Sequence, residues 1–90
     1  MQNNNINVMT GIGRYLSKKS VNKADISRKT GISTSRLSLL SRKESAKLRA
    51  DELYLIAMAI DVEPSEILNE IFKDLKLKDN FQVQNIDNYE

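Results

Sequence analysis

Eleven of the fourteen Lys and Arg side chains fall between Arg14 and Arg49, where only Asp25 and Glu44 oppose them. That stretch carries an excess of nine positive charges, whereas Ala50 to Glu90 sets ten carboxylates against Lys73, Lys76 and Lys78. Such a division suits contact with a polyanion by one half of the chain and a solvated or partner-facing role for the other. Within the basic stretch lie the short residues Thr34, Ser35 and Ser38, followed by Leu39. Hydroxyls that donate and accept discriminate weakly between hydrogen-bonding partners, while the methyl of Thr34 and the side chain of Leu39 suit apolar contacts.

Catalytic chemistry has little to stand on, because the chain contains no Cys and no His. Disulfides, the usual zinc ligand sets and a histidine base are thereby removed. A Ser or Thr nucleophile would need Lys or a carboxylate as its base, and no motif places such a pair. Glu63 and Glu66 suit the first turn of a helix, and there is no Gly-rich phosphate loop. No enzyme activity, cofactor or metal is expected. The start MQNNNINV lacks the segments of a signal peptide, and no apolar run reaches membrane-spanning length. A soluble, cytoplasmic protein is the expectation, with one modest core in its ninety residues.

Positioning those side chains falls to five short helices. Residues 1–7, mostly Gln and Asn, read as a flexible arm ahead of a domain over 8–75. From Val8 onward, the spacing of Ile12, Tyr15, Leu16 and Lys19 predicts an amphipathic helix, with Gly11 and Gly13 weakening its beginning. Asn22 is a good N-cap for a second helix that carries Ile26 inward, and Gly31 stops it in the left-handed conformation. Ser33 caps a third, on which Leu37 and Leu40 share a face. Arg42 to Leu48 reads as a polar, basic loop. Asp51 and Glu52 open a fourth helix with Leu53, Ile56, Ala57 and Ile60 facing the core. After a break at 61–63, Pro64 suits the first turn of a fifth, whose expected buried stripe is Ile67, Leu68, Ile71, Phe72 and Leu75. In the tail, 76–90, Phe81 and Val83 alternate as in a strand, while Ile86 and Tyr89 also fit a helix.

From Lys23 to Leu40, KADISRKTGISTSRLSLL meets the demands of two helices crossing around a tight turn. Ile26, Ile32, Leu37 and Leu40 are its apolar contacts, Ser27 is small where a large side chain would collide, and Gly31 completes the turn. Together with LRADELYLIAMAIDVEPSEIL after it, this segment resembles the Cro and phage-repressor type (XRE-like) of helix-turn-helix family over about Ile12 to Phe72. The resemblance implies an all-α, compact five-helix bundle of the lambda-repressor-like DNA-binding type. Four positions depart from the pattern: Lys23 replaces the usual Gln, Ser27 a common Ala, Ser41 a frequent Glu, and Lys43 the Gly that often ends the recognition helix.

By the family's docking geometry the third helix enters the major groove, so that Thr34, Ser35, Ser38 and Leu39 are the base-reading candidates. Lys23, at the start of the second helix, is expected to hold a phosphate together with backbone N–H groups. Arg36, Arg42, Lys43, Lys47 and Arg49 are further phosphate candidates, while Arg28 and Lys29 raise the local potential. The expected partner is double-stranded DNA, bound by a homodimer at palindromic half-sites, with Phe72, Leu75, Leu77, Phe81 and Val83 as candidate dimer contacts. The acidic half also suits a protein partner, as in antitoxins that neutralise a toxin and repress their own operon. A third reading is an interaction module with this fold and no DNA affinity.

Overall fold

Each helix start in the computed structural model, which describes residues 9–78, can be traced to a local chemical cause. Helix α1 (Gly11–Lys19) is capped by Thr10, whose Oγ1 accepts the Gly13 N–H, and it ends at Ser20 in the left-handed region with φ 58°. Asn22 accepts the N–H groups of Ala24 and Asp25 to start α2 (Lys23–Thr30). Gly31 stops that helix at φ 85°, where a side chain would be strained. Ser33 accepts the Arg36 N–H to start α3 (Thr34–Arg42). Helix α4 (Ala50–Ala59) carries Asp51 and Glu52 in its first turn, and α5 (Pro64–Ile71) begins on Pro64. The described residues contain no strand.

Helix α1 packs against α3 and α5, α4 packs against α2 and α5, and α2 lies on α3. Ile12, Tyr15, Leu16, Ile26, Leu37, Leu40, Leu53, Ile56, Ala57 and Ile67 form the core, with Ile32, Ile60 and Ile71 partly buried at its margin. Nearly every inward position expected from α1 to α4 is thus occupied. Ala46 and Leu48 also pack against the core, so the polar 43–49 connection is pinned by two apolar anchors. Arg42 belongs to α3 rather than to the loop.

Two expectations need correction. Helix α5 buries only Ile67 of its stripe and half-buries Ile71, whereas Leu68, Phe72 and Leu75 are 46%, 44% and 72% exposed. The helix ends at Ile71 and, among the described residues, packs chiefly against α1 and α4, which leave part of its apolar stripe uncovered. Lys19, placed on the α1 stripe, is exposed. The arm 1–7, Val8, and the tail residues Phe81, Val83, Ile86 and Tyr89 lie outside the described residues.

Gly13, a weak helix former, sits where α1 crosses the end of α3. A Cβ there would stand 2.3 Å from the Ser41 carbonyl oxygen, an approach that only glycine permits. At the same crossing the Thr10 N–H donates to the Ser41 carbonyl (2.9 Å), and the Thr10 hydroxyl donates to the Leu40 carbonyl (2.6 Å). Ser41 is buried and returns its own hydroxyl to the Leu37 carbonyl (2.9 Å). The start of α1 is therefore stitched to the end of α3 by short, uncharged contacts.

Candidate nucleic-acid interface

Thr34 and Ser35 occupy the first turn of α3 and are exposed, Ser38 is half-buried, and Leu39 is 36% exposed. Leu37 and Leu40, which interrupt them, are 1% and 2% exposed and hold that face of α3 on the core. Helical spacing thus separates an anchored side from a hydroxyl-rich side that stands free. The tight turn before it is closed by the Thr30 hydroxyl, which donates to the Ile26 carbonyl and accepts the Ile32 N–H.

The cations divide by whether they already have a carboxylate. Asp25 pairs with Arg28 and Lys29 on the outer side of α2. Lys18 and Lys19 face Glu70 and Glu66 of α5 at 3.8 and 3.3 Å. Among the described residues Lys23, Arg42, Lys43 and Lys47 have no such partner. Lys23 and Arg42 line one cleft beside Leu16 and Val21. Lys43, Lys47 and Arg14 line another, between the 43–49 loop and the start of α1. Arg49 holds Asp51 at 2.9 Å in an exposed pair, which solvent screens strongly.

Arg36 departs from its neighbours, because its guanidinium turns to α4 instead of standing free. Nε donates to Glu52 Oε2 (2.8 Å), and Nη2 donates to Glu52 Oε1 (3.0 Å) and to the Lys47 carbonyl (3.0 Å). Glu52 Oε1 also accepts the Arg49 N–H at 2.9 Å, satisfying a donor at the α4 terminus. The hydrogen bond from Arg36 holds the Glu52 carboxyl below the usual carboxylate range against the opposing effect of burial, and raises Arg36 in turn. Nothing local marks this pair in the sequence, since its members lie sixteen residues apart on different helices. Thr10, by contrast, carried a readable signal as a favoured N-cap residue just before a helix.

A family model for the Cro/C1-type HTH DNA-binding domain matches residues 12–73, more than half of the chain. The chain belongs to this family. The five helices of the described residues accordingly have the lambda-repressor-like fold, and the HTH family is one of DNA binders rather than enzymes. No curated protein and no solved structure matches the chain significantly. Within the matched residues, α2 and α3 are the two short helices on either side of the Gly31 turn. Among the described residues no helix is long and apolar enough to cross a membrane.

Proposed function

We propose that this HTH protein is a sequence-specific, cytoplasmic transcriptional regulator, acting as a repressor that binds a palindromic operator as a homodimer. The observation that carries the DNA-facing part is the coincidence of an exposed Thr34–Ser35–Leu39 face with four cations that lack carboxylate partners among the described residues. Lys23, Arg42, Lys43 and Lys47 supply charge to phosphates, with Arg49 adding to it. Thr34, Ser35, Ser38 and Leu39 meet base edges in the major groove. Hydroxyls and a leucine make only mild base contacts, so each subunit discriminates weakly, and a second subunit one helical turn away supplies the remainder. The exposed Leu68, Phe72, Leu75 and Leu77 offer the second subunit an apolar surface.

Salt provides the test. Four neutralised phosphates per subunit give a slope of log affinity against log salt near −3.6, and a flat response would sink the reading. Lys23→Ala should weaken binding to all sequences alike, whereas Thr34→Ala or Ser35→Ala should change which sequence is preferred. Identical effects of the two kinds of change would remove the assigned division of labour. Phe72→Glu should shift the sedimentation of the full chain toward the monomer, and an unchanged profile would clear α5 of a dimer role.

A second reading, an antitoxin with a basic protein partner, draws support from a cleft lined by Tyr54, Met58 and Pro64 together with Asp61, Glu63 and Glu66. Exposed apolar side chains ringed by carboxylates suit a cationic protein surface. Copurification with a small basic protein, abolished by Tyr54→Ala without loss of DNA binding, would favour this reading over a regulator that acts alone.

A further inference from the structure

Arg36 and Glu52 form the most shielded ion pair among the described residues, with side chains 30% and 12% exposed. They join two helices that are not close neighbours, since α3 rests on α1 and α2. Glu52 restrains three places at once: the first turn of α3 through Arg36, the N-cap of α4 through the Arg49 N–H, and the Lys47 carbonyl through the guanidinium it orients. The turn so held carries Thr34 and Ser35, and the loop so held carries Lys43 and Lys47. A two-pronged arginine–carboxylate contact has a fixed geometry that a lysine or a single hydrogen bond lacks.

We propose that Glu52 is a positioning residue that sets specificity, by withholding Arg36 from the DNA backbone and by fixing the first turn of α3 relative to the phosphate-holding loop. The proposal rests on the DNA-binding reading above. Phosphate contacts strengthen binding to every sequence alike, whereas base contacts reward only the right one. A long, permanently charged side chain set free beside Thr34 and Ser35 would find phosphates on any duplex. Tied to Glu52, it instead fixes the angle at which two weak hydroxyl contacts meet the bases. Weak readers depend on that angle more than strong ones, because no bidentate base contact is there to re-establish it.

Binding of the full-length wild type, Glu52→Gln, and Glu52→Gln/Arg36→Gln to a fragment selected from a random pool and to an unrelated duplex, across a salt series, tests this. Glutamine keeps an oxygen for the Arg49 N–H but drops the charge. In the single variant, affinity for the unrelated duplex should rise, and its salt slope should steepen by about 0.9 per subunit. The ratio of selected to unrelated affinity should fall about tenfold, the scale of one lost base contact. In the double variant the slope should return to the wild-type value while the ratio stays low. Unchanged slope and ratio in a cooperatively melting Glu52→Gln protein would overturn the proposal, as would a steepened slope that survives removal of Arg36. Should Glu52→Gln not fold, Arg36→Gln alone decides: a tenfold lower ratio at unchanged slope supports the proposal, and an unchanged ratio overturns it. A wild type that binds neither duplex contradicts DNA binding itself and is thus distinguishable from these outcomes.

Discussion

The two ends of α3 are held in opposite ways. At its C-terminal end, Leu40 and Ser41 meet Thr10 and Gly13 through buried backbone contacts as close as a missing Cβ allows. At its N-terminal end, Arg36 reaches Glu52 of α4 through a two-pronged side-chain contact. The first attachment is uncharged; the second is an ion pair. One end of α3 is thus held through backbone contacts with α1, and the other through a side-chain ion pair with α4.

The largest effect expected is that of Gly13→Ala. Helix propensity alone makes this change favourable by about 1 kcal/mol, yet the new methyl group would meet the Ser41 backbone rather than a movable side chain. Forcing the α1–α3 crossing apart should cost about 3 kcal/mol, enough to lower the melting temperature by more than 10 °C. A stabilised variant in a denaturant titration would show that the close approach does not govern this end. Next comes Thr10→Val, which removes one hydroxyl that caps α1 and satisfies the Leu40 carbonyl. A loss of about 2 kcal/mol is expected, with DNA sequence preference intact in the fraction that remains folded.

Acid distinguishes the ends more gently. The Glu52 carboxyl titrates below its ordinary range because Arg36 hydrogen-bonds to its charged form. A depressed folded-state value means that its stabilisation is present above the unfolded carboxylate range and is lost as pH falls through the folded value. Protection of the Arg36 and Arg49 amides, relative to their intrinsic exchange at each pH, should fall in that window while that of Ser41 is kept. Equal loss of protection at both ends would erase the distinction. Glu66 is also lowered, first by the Tyr15 hydroxyl and then by Lys19, so global unfolding has an acid component of its own and the local probe is needed.

The smallest effect lies at high pH, away from α3. Burial and the hydrogen bond to Glu66 (2.5 Å) push Tyr15 up to about 12. Because the folded value is raised, this contribution is complete below the unfolded tyrosine range near 10 and declines as pH rises toward 12. Absorbance titration should show one tyrosine ionising late, with the α1–α5 contact loosening as it does. Tyr15 ionising in the ordinary tyrosine range near 10 would contradict this bond.

Short-range chemistry made much of this protein legible from its sequence. Asn22, Ser33, Gly31 and Pro64 act within a few residues of where they stand, so their caps and turns follow from residue type. The apolar spacing of Ile26, Leu37, Leu40, Leu53, Ile56 and Ile67 likewise selected the core, because helical periodicity assigns faces before any partner is known. The exposed hydroxyl face of α3 follows from the same periodicity. Tertiary structure alone decided the contacts between residues distant in sequence. Gly13 is a weak helix former until Ser41 is brought against it, and Arg36 is one more cation until α4 presents Glu52. The apolar stripe of α5 looked like core until its neighbours proved too few to cover it. Residue type determines what a side chain can do, but whether its charge, volume or apolar surface is used depends on what the fold places within a few ångströms.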